Sequence, residues 1–251
     1  MFEISFIPAF KDNYIWLLRR ERQAFVIDPG EAAPVLARLS ADGLALAGIL
    51  LTHHHADHQG GVAELTERRR VPVFAPAGES ITGRTAPLSG GETLNLAGCA
   101  VRVLAVPGHT AGHLAYLAGE RLFCGDTLFG AGCGRLFEGA PAQMAASLER
   151  IAALPPTTLI HCAHEYTEAN LRFARAVEPD NPAIVARQAQ VAERRRAGLP
   201  SVPSTLAEEL ATNPFLRCRQ PAVIAAARQR GAPDDTPVAV FTALRAWRND
   251  F

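Results

Sequence analysis

The chain has almost no lysine. Lys11 stands alone among 25 basic residues and the other 24 are arginine, a bias to discount before any single arginine is read as functional. It has no charge imbalance either, with 25 basic and 25 acidic residues. A neutral chain carries no electrostatic footprint for nucleic acid or for an anionic membrane surface, so neither is an expected partner. Apolar runs stay short of the ~18 residues that a membrane-spanning helix needs. Five cysteines (Cys99, Cys124, Cys133, Cys162 and Cys218) make no CxxC pair and leave one over. That argues against a disulfide framework and for a reducing compartment. Residues 1–14 lack a positive segment ahead of an apolar one, so no secretory signal and a cytoplasmic location are expected. There is no fixed-period repeat, no low-complexity tract, and no evident Ser-His-Asp or Cys-His arrangement. What is present is 48% apolar residues in a chain of 251, enough for one large domain or two unequal ones.

Histidine is absent from 165–251, and all eight lie between 53 and 164. Four of them and one aspartate fall within six positions of THHHADHQGG, at 52–61. Imidazole and carboxylate are the donors that suit zinc and related first-row ions. His53 and His55 alternate, so on extended backbone they point the same way. Asp57 and His58 are adjacent and are expected to diverge, so that one loop feeds two neighbouring metal positions. The apolar run 44–51 reads as a buried strand before the loop, and the segment after Gly60-Gly61 reads as a helix. That layout puts the site at the carboxyl end of a sheet strand. Three further donors, His109, Asp126 and His164, each directly follow an apolar strand-like run. Seven donors exceed what one tetrahedral zinc accepts, and a carboxylate can bridge two ions, which points to a two-metal site with Asp126 between them. His54, His113 and His161 are left for packing or for supporting the ligands. Cys124 and Cys162 lie inside strands and read as small buried apolar residues.

Strands are expected at 2–7, 13–18 and 23–27, the last closed by Asp28-Pro29-Gly30, then a helix at 31–39. The ligand strand at 46–51 and a helix at 62–70 follow. Next come strands at 71–75, 94–96 and 99–106, a hairpin of 114–117 and 121–124 about Gly119, a helix at 141–154 and a strand at 157–162. From about residue 165 strand signals stop. Ala/Arg/Glu-rich helices are expected at 165–177, 183–197, 205–210, 222–228 and 237–247, parted by prolines. The division expected is 1–164, a mixed metal-binding catalytic domain, and 165–251, a smaller helical one.

THHHADHQGG, PGHT at 107–110, GDTLF at 125–129 and AHEYT at 163–167 resemble the metallo-β-lactamase fold superfamily. AGCGRLFEG at 131–139, NPFLR at 213–217 and LRAWR at 244–248 narrow the resemblance to its glyoxalase II, or hydroxyacylglutathione hydrolase, family. The resemblance implies an α/β fold, a four-layer αβ/βα sandwich with a C-terminal helical domain that helps to hold glutathione. It implies two divalent metal ions per chain, zinc first, with iron and manganese compatible with the same ligands. One ion takes His53, His55 and His109, the other Asp57, His58 and His164, and Asp126 bridges both. Asp57 and Asp126 are thereby the catalytic carboxylates. Substrate contacts are implied at Arg135, Leu136 and Phe137, at His164, Glu165 and Tyr166, and at Arg245 and Arg248. Some members carry lysine and tyrosine where this chain has Arg135 and Phe137, so a side-chain hydrogen bond at Phe137 is excluded.

The implied reaction is hydrolysis of S-(R)-lactoylglutathione to (R)-lactate and glutathione, the second step of methylglyoxal detoxification, by a monomer whose partner is a small-molecule glutathione thioester. A thiol with a free pKa of ~8.5 leaves readily, so no dedicated general acid is required. The competing readings are a persulfide dioxygenase of the same superfamily that uses one iron, and a metal-stabilised binding module without turnover. A structural zinc site is normally closed at four ligands, which seven donors exceed.

Overall fold

The computed structural model describes residues 1–251. Two six-stranded sheets face each other. The first holds β1 (Glu3–Ala9), β2 (Asn13–Arg20), β3 (Gln23–Ile27), β4 (Ala45–Leu50), β5 (Val73–Pro76) and β6 (Ala86–Leu88), in that order across the sheet. Helices α1 (Ala32–Ala41), α2 (Ala56–Gln59) and α3 (Val62–Arg68) interrupt it in sequence. Strands β7 (Thr93–Leu96), β8 (Cys99–Ala105), β9 (Leu114–Ala118) and β10 (Arg121–Gly125) follow, then a small ribbon of β11 (Leu128–Phe129) and β12 (Gly132–Cys133). After α4 (Pro141–Ala152) and β13 (Leu159–Cys162) come α5 (Thr167–Val177), α6 (Pro182–Arg196), β14 (Ser204–Thr205), α7 (Leu206–Thr212), a 3₁₀ turn at Pro214–Leu216, α8 (Pro221–Gln229) and α9 (Pro237–Asp250). The second sheet runs β14-β13-β10-β9-β8-β7.

Strand alternation explains the layering. In β2, Trp16 and Leu18 face the second sheet, while Ile15 and Leu17 face the outer helices with Val35 and Leu39 of α1 and Leu65 of α3. A strand buried on both faces reads as a continuous apolar run, as β2 does. On the far side, Met144, Leu148 and Ile151 of α4 join the core that also holds Phe173, Phe241 and Leu244 from the C-terminal helices. The result is the four-layer αβ/βα order expected from the resemblance. No helix is long and apolar enough to cross a membrane.

Strand direction gathers the ends that matter. β1 is antiparallel to β2 and β2 to β3, so β1 and β3 point the same way, and β4 and β5 run parallel to β3. In the second sheet β8 and β9, then β9 and β10, are antiparallel, so β8 points with β10, and β13 runs parallel to β10. The carboxyl ends of these strands share one edge of the sandwich. Hydrogen bonds clamp the sheets together there: Leu114 N–H donates to Thr52 O (2.8 Å), Tyr116 Oη to Leu51 O (2.7 Å) and Trp16 Nε1 to Cys162 O (3.0 Å).

Strand signals do not stop at residue 165. β14 pairs antiparallel with β13, so the C-terminal segment supplies an edge strand to the second sheet. Two residues are too few for periodicity to show, and only the pairing identifies them. α7 ties the same region down. Fully buried Glu209 accepts from Arg187 Nη2, Ser204 Oγ (2.6 Å), Asn213 Nδ2 (3.1 Å) and the backbone N–H of Ala131 (2.8 Å). Ala131 has left-handed backbone (φ 54°), which the Glu209 contact and the β11–β12 ribbon hold.

Removing one member of a buried ion pair strands the other. Glu209→Ala should therefore lower unfolding stability by about 3–5 kcal/mol in urea titration, and replacing Arg187 and Glu209 together by apolar residues should cost less. Equal losses in the single and double variants would refute the pairing.

Candidate metal centre

All seven donors arrive at the shared edge. His53, His55, Asp57 and His58 come from the β4–α3 connection, His109 from the end of β8, Asp126 from β10 and His164 from β13. They sort into two groups. His55 Nδ1 lies 3.0 Å from both His53 Nε2 and His109 Nε2. In the other group Asp57 Oδ2 lies 3.4 Å from His58 Nε2 and 3.5 Å from His164 Nε2. Asp126 stands between them: Oδ1 is 3.3 Å from His164 Nε2 and 3.5 Å from His58 Nε2, while Oδ2 is 3.4 Å from His109 Nε2.

Asp57 and His58 do not diverge. They sit on the single turn of α2, where neighbours are 100° apart, and both reach the same group. The two groups are fed instead by different parts of the loop, His53 and His55 before α2 and Asp57 and His58 within it.

The donor set fits divalent cations. His58 Nε2 and Asp126 Oδ1 are buried with no hydrogen-bond partner, a costly arrangement that a cation between them relieves. Hydrogen bonds hold far ring nitrogens, which aims the near ones: His53 Nδ1 is 3.0 Å from Thr52 Oγ1 and His164 Nδ1 is 2.9 Å from Asp12 Oδ1. His58 Nδ1 lies 3.1 Å from Asp28 Oδ2 as an ion-pair contact without hydrogen-bond geometry. His109 Nδ1 donates to Arg135 O at 2.7 Å. Asp28, itself in left-handed backbone, also accepts from Thr52 N–H and Oγ1, both at 2.8 Å.

Electrostatics separates the groups. Burial pushes His53 well below its ordinary pKa and also lowers His55 and His109, so these rings are neutral donors. Burial opposes charge on His58 and His164 too, but Asp126 outweighs it, with help from Asp28 and Asp12 respectively, and both are raised. Burial likewise opposes ionisation of Asp57 and Asp126. Even so, His58 and Asn13 hold Asp57, and His164 and His58 hold Asp126, well below the usual carboxylate range. The ionised carboxylates that raise His58 and His164 would attract a cation by the same field.

His113 and His161 are buried and offer no ligand atom to either group, although His113 stacks on the His53 ring (4.7 Å between centroids). His113 Nε2 accepts from Asp126 N–H (3.2 Å), and His161 packs its ring on Trp16 (4.6 Å between centroids). Gly134 makes room for the centre, because a Cβ there would lie 1.9 Å from Asp126 O.

Beside the second group is a cavity of about 230 Å³ lined by Phe129, Cys133, Arg135, Tyr166, Arg245 and Arg248, among others. Tyr166 stacks on His164 (4.8 Å, 3°), so cavity and metal centre share a wall. Burial, aided by Asp12, Asp126 and Asp57, pushes the Tyr166 phenol up and keeps it a donor. Arg245 is buried, donates to Cys133 O (2.9 Å) and leaves Nε unpartnered. Arg248 donates to Asn170 Oδ1 (3.3 Å), and burial and Arg245 lower its pKa. Trp247 turns instead to Phe173 (5.1 Å).

The remaining sequence candidates lie elsewhere. Phe137 is exposed and stands edge-on to His55 and His109, 5.3 Å from each. Leu136 packs partly buried against the core. The Glu165 carboxylate accepts from Tyr14 Oη (2.6 Å) and Ser201 N–H (2.8 Å) and does not line the cavity. Sequence reasoning missed Asp12, Asp28 and Glu79. They follow β1, β3 and β5, so a polar residue at the end of a same-direction strand, the signal that found His109, would have found them.

The metallo-β-lactamase superfamily model matches residues 10–98 and 100–164, and the model for the hydroxyacylglutathione hydrolase C-terminus matches 165–251. A hydroxyacylglutathione hydrolase of Dechloromonas aromatica (strain RCB) is 66% identical over 265 aligned positions, covering 100% of each chain. Among solved structures, ETHE1 from Myxococcus xanthus is similar at TM-score 0.68 and 25% identity, covering 99% of this chain and 98% of its own. TTHA1623 in a di-iron-bound form is 33% identical with TM-score 0.55, covering 63% of this chain and 90% of its own.

Gly134→Ala should displace the Asp126 backbone. After dialysis the variant should retain less metal than the parent while its circular dichroism is unchanged. Full metal retention would show that the loop absorbs the methyl group.

Proposed function

The chain belongs to the hydroxyacylglutathione hydrolase family of the metallo-β-lactamase superfamily, and from that membership we infer how its residues hydrolyse the thioester of an S-(2-hydroxyacyl)glutathione. It is a thioester hydrolase that releases glutathione and a 2-hydroxy acid, (R)-lactate from S-(R)-lactoylglutathione. The observation that carries the reading is one carboxylate, Asp126, shared between two donor groups beside an arginine-lined cavity.

Two divalent cations, zinc first, would be held by His53, His55 and His109 and by Asp57, His58 and His164, with Asp126 common to both. When bound, such ions acidify water and polarise a carbonyl oxygen. The chain does the rest. Asp57 and Asp126 stay ionised, so they act as ligands and are poor bases. Arg135, Arg245 and Arg248 bring positive charge to the cavity, where two glutathione carboxylates would be bound by guanidinium forks. Tyr166 spans cavity and centre and would orient the peptide part with its hydroxyl. Phe137 covers the first group with an apolar ring and has no hydroxyl to offer. The thiolate leaves without a general acid. In this division residues 1–164 supply the chemistry and 165–251 most of the substrate grip. The one-iron dioxygenase alternative is not favoured, because the hydroxyacylglutathione hydrolase C-terminal model covers all of 165–251.

Metal-replete protein should release free thiol from S-lactoylglutathione and carry close to two ions per chain, and Asp126→Ala should lose both metal and rate. A variant active with one ion would remove the two-metal reading, and no thiol release by the parent would remove the hydrolase reading.

The two arginines of α9 should separate. Arg248→Ala should raise KM roughly 5- to 50-fold with kcat and metal content nearly unchanged, an effect that shrinks with salt. Arg245→Ala should raise KM and also lower the melting temperature, because its guanidinium braces the Cys133 carbonyl. Unchanged KM in the double variant would return both to a purely structural role.

A further inference from the structure

We propose that Glu79 and His54 form a bridge that positions the two ligand loops of the first donor group against each other, and that Glu138 extends it to the segment 135–137. The proposal rests on the metal-dependent reading above and adds positioning residues to it. None of the three side chains belongs to the seven donors.

Glu79 follows β5 and its side chain is only 2% exposed. Oε2 lies 2.9 Å from Nδ1 of His54, the histidine between two donors of the ligand loop. Oε1 accepts from Thr110 Oγ1 and from Gly112 N–H (2.9 Å), in the loop that carries His109. One buried carboxylate therefore joins the loop of His53 and His55 to the loop of His109. Otherwise a backbone bond, Leu114 N–H to Thr52 O, joins them at their base. The fit is close, since a Cβ on Gly112 would lie 2.7 Å from Glu79 Cγ. The carbonyl of Glu79 accepts from Arg84 Nη1 (2.6 Å), which holds the backbone behind it.

His54 turns its other nitrogen to Glu138, with Nε2 3.2 Å from Oε1. Glu138 Oε2 accepts from Ala111 N–H at 3.0 Å. Glu138 sits beside Phe137, whose ring stands over His55 and His109, and three residues from Arg135. The bridge thus spans three loops: those of the first donor group and the one that carries Arg135. His54, Glu79 and Glu138 are a donor set by residue type, but their atoms are engaged with each other and with backbone.

The test titrates metal-free protein with Zn²⁺ against a competing chelator and measures its melting temperature. KM and kcat for thiol release follow on the reloaded protein. His54→Ala and Glu79→Ala should weaken one of the two Zn²⁺ sites roughly 10- to 100-fold and leave the other near parental affinity. Glu79→Gln should recover part of that, because an amide oxygen still accepts from Thr110 and Gly112. Glu138→Ala should keep parental Zn²⁺ affinity and raise KM about 2- to 5-fold, roughly the worth of one solvent-exposed ion pair. His54 is partly exposed and adds little to the core, so His54→Ala decides the matter if Glu79→Ala does not fold. Parental Zn²⁺ affinity in His54→Ala overturns the bridge, and unchanged KM in Glu138→Ala overturns its extension to 135–137. A parent that binds Zn²⁺ and releases thiol beside unaffected variants leaves the hydrolase reading standing without the bridge. A parent that binds no metal removes both.

Discussion

The structure turns on one buried carboxylate that must stay ionised. Asp126 faces His58 and His164 with one oxygen and His109 with the other, in a place where burial alone would neutralise it. An ionised carboxylate is tolerated there only when nearby positive charge or hydrogen-bond donors compensate its burial. That requirement explains much of the surrounding detail: the absent side chain at Gly134, the backbone of Asp126 donating to His113, and ring nitrogens aimed by Asp12, Thr52 and the Arg135 carbonyl. Both sheets deliver donors, four from the connection after β4 and one each from beyond β8, β10 and β13.

The arginine-lined cavity and the seven donors lie on adjoining surfaces. The arginine cavity and the donor groups meet at the stacked His164 and Tyr166 rings, so an anion in the cavity would lie next to those groups without competing for their ligand atoms. The C-terminal helices are more than an appended lid. Through Glu209 and Asn213 they fix the β11–β12 ribbon, and through Arg245 they fix Cys133, so the segment leading from Asp126 to Arg135 is shaped by residues 78 to 112 positions downstream.

Much of this was legible beforehand. The long strands and helices were readable because their burial is periodic: β2 and β3, α4 and α6 lie within a few residues of the spans expected from pattern alone. The donors were readable because a histidine or aspartate directly after an apolar run has few reasons to be there. Five of the shortest elements, α2, β6, β11, β12 and β14, were not, since each spans barely one period of its pattern. Asp57 and His58 were misdirected for the same reason: a single helical turn inside a loop turns two neighbours towards one site.

What the sequence by itself determined is chemical type: seven nitrogen and oxygen donors, neutral overall charge, and arginines on the last helix three positions apart. Composition and spacing are local quantities, and they suffice for that. Only tertiary structure decided which oxygen of Asp126 faces which histidines, that Arg245 is a brace as well as a charge, that Glu165 turns away from the cavity, and that Glu79 links two ligand loops. Each of those is a contact between residues far apart in the chain, set by strand direction and packing, and no local pattern carries that information.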